Sequence, residues 1–174
     1  MASRSADLPS ALVVRVLGGK GTTGAFLYPA RHGAGLPSIA QMPGRLTQSE
    51  FIARAIGIPW VRWRSDWQAA DCFGLVVLYF REVLGVDLGA VPQTDIATGF
   101  DRAEGWAECH QQDGAIAFMA WRHGSPTHCG VIVAGGMVLH SEGSDAHPGS
   151  VRLSRLAAVQ RVYGDIKFYR YTSC

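Results

Sequence analysis

No two cysteines in this 174-residue chain stand at CxxC spacing, and there are only four: Cys72, Cys109, Cys129 and Cys174. A chain of this length can rely on a core instead of disulfide staples, so free thiols are expected. Long apolar runs are missing as well. The stretch Ala11–Leu17 is interrupted by Arg15 and has no small-residue cleavage site after it, so it fails as a secretory signal and reads as a β-strand. Nothing approaches the roughly 18 apolar residues of a membrane span, and no membrane insertion is expected. Charge of one sign is lacking too. The net charge is +2 and the 17% of charged residues are scattered, which excludes a nucleic-acid tract and a polybasic membrane anchor. Finally, Gly18-Gly19-Lys20-Gly21-Thr22-Thr23 lacks the GxxxxGK[ST] spacing of a phosphate loop and reads as a turn.

What is present is a hydrophobic content of 48%, enough for one globular unit. Glycines at 18, 19, 21, 33, 35 and 44 and prolines at 29, 37 and 43 make residues 1–46 an irregular N-terminal arm, a candidate docking segment. The globular domain then runs over 47–174. Thr47-Gln48-Ser49-Glu50 is a capping-box pattern, and Phe51, Ile52 and Ala55 give an apolar side before Gly57 and Pro59, so a short helix is predicted over about 48–56. Asp71 is suited to cap a second helix, in which Cys72, Leu75, Val76, Tyr79, Phe80, Val83 and Leu84 recur at helical spacing until Gly85. Cys72 thus falls in a first helical turn, where unpaired amides and the positive end of the helix dipole favour a thiolate.

Further on, Asp113–Met119 reads as a strand entered through a turn. His128–Val133 and Met137–Ser141 read as two strands joined by Ala134-Gly135-Gly136. With that loop Val133 faces Met137 and Gly130 faces His140. His128 then lies diagonal to His140 on one sheet face, because side chains alternate with period two. Two imidazoles so placed form a relay in which one accepts a proton and the other orients it.

The blocks Asp71-Cys72-Phe73-Gly74-Leu75-Val76, Asp113–Phe118, His128-Cys129-Gly130-Val131-Ile132 and Met137-Val138-Leu139-His140-Ser141, in this order, resemble the NlpC family (the NlpC and p-sixty group) over about residues 48–172. The resemblance implies an α+β, papain-like fold, in which the helix bearing the nucleophile packs on a small antiparallel sheet or partial barrel. It implies a cysteine peptidase cutting peptidoglycan stem peptides, with Cys72 as nucleophile, His128 as base and His140 as the residue that orients it. No cofactor and no metal are implied. A zinc site from Cys72, Cys129, His128 and His140 is disfavoured because neighbours His128 and Cys129 point to opposite faces of their strand. On the substrate side we place Trp60, Trp63 and Asp71. For Trp60, Trp63 and Trp67, the residues alone leave open a groove wall or the core.

Three positions depart from the family pattern. Trp60 replaces the tyrosine of Gly-x-Pro-Tyr, Phe73 replaces the serine after the cysteine, and Cys129 replaces the valine after the histidine. These changes keep a catalytically silent structural component with the same fold as the alternative. The close of the chain, Ser150–Leu156 and then Arg161–Arg170, looks like that of tail-associated members from bacteriophages and gene transfer agents, in which a basic-aromatic strand ends the domain. That likeness, with the absent export signal, implies a virion tail tip assembled in the bacterial cytoplasm, with other tail-tip proteins as partners and no nucleic acid.

Overall fold

The structure, a computed structural model, describes residues 45–172. The strand expected at Ala11–Leu17, the turn at Gly18–Thr23 and nearly all of the arm 1–46 lie outside the described residues. The chain folds as α1 (Gln48–Ala55), α2 (Cys72–Tyr79), α3 (Ile96–Asp101), β1 (Trp106–Cys109), β2 (Ala117–Arg122), β3 (Ser125–Val133), β4 (Met137–Ser144), β5 (His147–Arg155), α4 (Leu156–Tyr163) and β6 (Asp165–Tyr171). The six strands form one antiparallel sheet in the order β1-β6-β2-β3-β4-β5. The architecture is the expected α+β one, with α2 packed on the sheet.

Local chemistry sets the helix ends. At α1 both halves of the capping box form: the Glu50 amide donates to Thr47 Oγ1, and the Glu50 carboxylate accepts from the Thr47 amide at 2.8 Å. Such a cap stabilises a helix by about 1 kcal/mol. At α2 the Asp71 carboxylate accepts from the Gly74 amide at 2.6 Å. The helix continues as a π-turn over Phe80–Leu84 and stops at Gly85, which adopts the left-handed conformation.

Helix α2 is apolar all round because it is enclosed. Leu75, Val76, Val77, Leu78, Tyr79 and the following Phe80 are all buried. One side of the sheet meets this helix through Met119, Cys129, Val131, Val133, Leu139 and Val151. A smaller cluster of Phe118, Val138 and Val159 packs with Ile132 and Leu156, which brings in α4. Each fully buried Phe, Leu or Val contributes about 1.5–3 kcal/mol of transfer free energy. The loop before α2 is tied to β5 through backbone bonds from Gly57 to Val151, Val151 to Ile58 and Trp60 to Gly149. Ser141 on β4 donates its hydroxyl to the Ala70 carbonyl at 2.6 Å. These ties fix the start of α2 against the sheet.

The β3–β4 hairpin has the expected register, with Val133 opposite Met137 around the 134–136 loop. The ladder expected to reach Gly130 opposite His140 instead ends at Val131 opposite Leu139. Beyond that point the backbone pairing stops, although Gly130 stays packed against Leu139 and His140. The Asp113–Met119 strand is also corrected: β2 begins at Ala117, because Gln111–Asp113 form a 3-10 turn that Gly114 closes with a positive φ.

Candidate active site

Three elements converge where the β3–β4 ladder stops: the first turn of α2 brings Cys72, β3 brings His128 and Cys129, and β4 brings His140. Both histidines are buried, 4% and 2% exposed. His128 Nε2 and His140 Nδ1 lie 2.9 Å apart, as the shared face predicts. Gly130, between them on that face, has no space for a side chain. A Cβ there would stand 2.5 Å from the Leu139 carbonyl and 2.9 Å from His140 Cβ. With Nε2 committed to His140, Nδ1 is the His128 nitrogen left for the sulfur.

The Cys72 thiol is held well below its ordinary value. The largest cause is a hydrogen bond from the Cys129 thiol. Burial opposes it, and the His128 side chain and charge and the Cys129 amide add to it. The Cys129 thiol is correspondingly pushed well above its ordinary value, since losing its proton would put two anions together. His128 and Cys129 do alternate across β3, yet both reach Cys72, because the sulfur also takes the amide of Cys129 and therefore sits at the strand's edge. Among the described residues, no group of three or more His, Cys, Asp or Glu is arranged to hold a metal ion.

His140 is pushed down to about 4, first by burial and then by the charges of His128 and Arg152. It is therefore neutral at neutral pH. Its Nε2 lies 2.9 Å from Ser154 Oγ on β5. Ser154 faces Val138 in the β4–β5 ladder, two places from the partner of His140, which puts it on the same face. The polar line thus runs Cys72, His128, His140, Ser154. Ser154 is not singled out by the sequence, since it joins this line only through the β4–β5 pairing.

Asp71 is raised to about 6, chiefly by burial and by the Cys72 charge, against the pull of its backbone bonds. Its two oxygens accept from the Gly74 and Trp63 amides, each at 2.6 Å. It lines the cleft, but its carboxylate is engaged within the chain. The Leu75 amide bonds the Asp71 carbonyl, so the first-turn amides of Cys72 and Phe73 are those without an acceptor among the described residues. Free amides at a helix start are able to stabilise an anion beside them.

A cleft of about 700 Å³ takes in Cys72, and Trp60, Trp63, Phe73, Phe100 and Tyr163 are among the residues that line it. Trp63 is 41% exposed and holds a positive φ of 61°. Trp67 goes to the core side instead, its ring tilted at 51° to that of Phe51 with centroids 5.3 Å apart, under the Arg54 guanidinium.

A thiol at a helix start, an imidazole beside it and a second, neutral imidazole behind the first are the arrangement found in papain-like thiol hydrolases. The NlpC/P60 family model matches residues 60–165, more than half of the chain, and the chain belongs to that family. The family's members are cysteine peptidases and amidases that act on peptidoglycan. Among solved structures, the chain is similar to the NlpC/p60 domain of the peptidoglycan hydrolase SagA. That match has 20% identity and a TM-score of 0.47 over 68% of this chain and 92% of that one. No protein of curated function matches the sequence.

Proposed function

We propose that the protein is a cysteine endopeptidase that cuts peptidoglycan stem peptides at the tip of a phage-like tail. The observation that carries the hydrolase reading is the buried 2.9 Å bond between His128 and His140, beside a thiol held low. His128 Nδ1 accepts the Cys72 proton, and the sulfur attacks the carbonyl carbon of a stem-peptide amide. Negative charge on that carbonyl oxygen meets the Cys72 and Phe73 amides. The charged His128 donates through Nε2–H to His140 Nδ1, which leaves His140 with Nε2–H for Ser154 Oγ. His128 next returns its proton to the departing amine, and water then hydrolyses the thioester. Trp60 and Trp63 border the substrate, and Asp71 acts from behind by capping α2 and holding the Trp63 amide. No cofactor enters.

The tail-tip placement is supported by the likeness of the closing segment to tail-associated members, which carry their hydrolase to the wall without secretion. In this reading the protein is assembled in the bacterial cytoplasm with other tail-tip proteins, and residues 1–46 dock it there. Digesting purified sacculi with the full chain and with Cys72→Ala, and analysing the released muropeptides by mass spectrometry, tests the activity. New stem-peptide ends are expected with the first protein and none with the second. Equal inertness of both, with particles that still need the subunit, establishes the silent structural component instead. Mass spectrometry of purified particles tests the placement, and its absence from tails overturns it.

A further inference from the structure

The His128 ring has a neighbour that the relay does not account for. Tyr163, the last residue of α4, stacks on it with ring centroids 4.0 Å apart and planes 15° apart. The same phenol meets His140 edge-on at 6.2 Å. The imidazole is thus fixed by one nitrogen at His140, with the other left for the sulfur and one face covered. Turning the ring about its Cβ–Cγ bond would drive its edge into the phenol.

The end of α4 is joined to the strand that carries His128. Thr127 Oγ1, one residue before His128, donates to the Tyr163 carbonyl at 2.7 Å. Gly164 follows with a φ of 110°, and a Cβ there would stand 2.0 Å from the Trp121 carbonyl on β2. Only glycine lets the helix end press this closely on the sheet. The phenol stays un-ionised at neutral pH, raised by burial and by the charges of Glu142 and Cys72, so its ring keeps a neutral face to the imidazole.

We propose that Tyr163 is a positioning residue, an aromatic clamp that holds the His128 ring in the plane where Nδ1 meets the Cys72 sulfur. The proposal rests on reading Cys72 and His128 as nucleophile and base. Its function lies in the stacked face, so the hydroxyl is dispensable and phenylalanine substitutes for tyrosine.

The test compares the full chain with Tyr163→Leu and Tyr163→Phe, reading iodoacetamide labelling of Cys72 by peptide mass spectrometry and kcat and KM on stem-peptide substrate. Tyr163→Leu is expected to slow Cys72 labelling and kcat about tenfold, the rate equivalent of one aromatic pair, with KM within about twofold. Tyr163→Phe recovers most of both rates. Unchanged rates in Tyr163→Leu overturn the proposal, and so does a loss in Tyr163→Phe as large as that in Tyr163→Leu. A direct reading needs no variant: NMR of the unmodified chain should show His128 ring protons shifted upfield by the stacked phenol. Absence of that shift overturns the clamp even if Tyr163→Leu does not fold. If the shift and the labelling pattern hold while the unmodified chain leaves peptidoglycan intact, the clamp stands and the peptidase reading falls.

Discussion

His140 Nδ1 lies 2.9 Å from His128 Nε2, and burial keeps His140 neutral by lowering it to about 4. The direction of the bond follows. A charged His128 has a proton on Nε2 to give and a neutral His140 has a lone pair on Nδ1 to receive it. In the proposed mechanism His140 orients the base without competing for its proton, and Ser154 Oγ, 2.9 Å from Nε2, sets the tautomer.

Removing that support misaligns His128 without touching the sulfur. His140→Ala is expected to lower kcat about 10²-fold, the scale of a small misplacement of a reacting group. Ser154→Ala is expected to cost about fivefold, one ordinary hydrogen bond. Steady-state kinetics on a stem-peptide substrate decides. An undiminished kcat in His140→Ala would remove His140 from the account.

Cys129 stabilises the Cys72 thiolate by donating its S–H, so Cys129→Val raises the Cys72 thiol toward its ordinary value. The thiolate then appears only at higher pH. Alkylation of Cys72 should slow at about pH 7 and recover in alkali, whereas Cys129→Ser keeps a donor and shifts the profile less. Identical alkylation profiles in the parent and Cys129→Val would show that the second thiol does nothing for the first. The cost in stability stays near 1 kcal/mol, because the volume is nearly kept.

Two buried groups oppose each other in the pH dependence of stability. His140 falls from 6.5 unfolded to about 4 folded, so between these values the unfolded chain binds more protons and stability rises with pH. Asp71 rises from 3.8 to about 6, so over its window the folded chain binds more protons and stability falls with pH. The two slopes largely cancel between about pH 4 and 6. Asp71→Asn removes the falling one, and its chemically measured unfolding free energy should rise with pH by about 3 kcal/mol over the His140 window. A flat profile in Asp71→Asn would contradict the buried, neutral His140.

Gly130→Ala places a methyl group against the Leu139 carbonyl and His140 Cβ. The strands must move to admit it, which costs about 1–3 kcal/mol. Thermal unfolding should show a lowered Tm together with lost activity. A variant as stable and active as the parent would mean that the strands are not held at this spacing.

Much of this was legible in the sequence because it rests on local rules. The Thr47–Glu50 box, the Asp71 cap and the helical spacing from Cys72 to Leu84 each specify their element from neighbouring residues. The 134–136 loop and strand parity by themselves put His128 and His140 on one face. Other features depend on contacts distant in sequence. Ser154 and Tyr163 reach the site only through β5 and α4, whose pairing with β4 and packing on β2 no local pattern announces. Likewise the β3–β4 ladder stops at Val131 opposite Leu139, and Cys72 at the start of α2 meets groups from both faces of β3, His128 and Cys129. Alternation alone puts Cys129 on the opposite face of β3 from His128.

The most direct measurement is intact-protein mass spectrometry after rapid acid quench of the full chain turning over a defined stem peptide. An acyl adduct on Cys72 is expected to form and decay with turnover and to be absent in Cys72→Ala. Turnover with no adduct on Cys72, or hydrolysis surviving in Cys72→Ala, would contradict it.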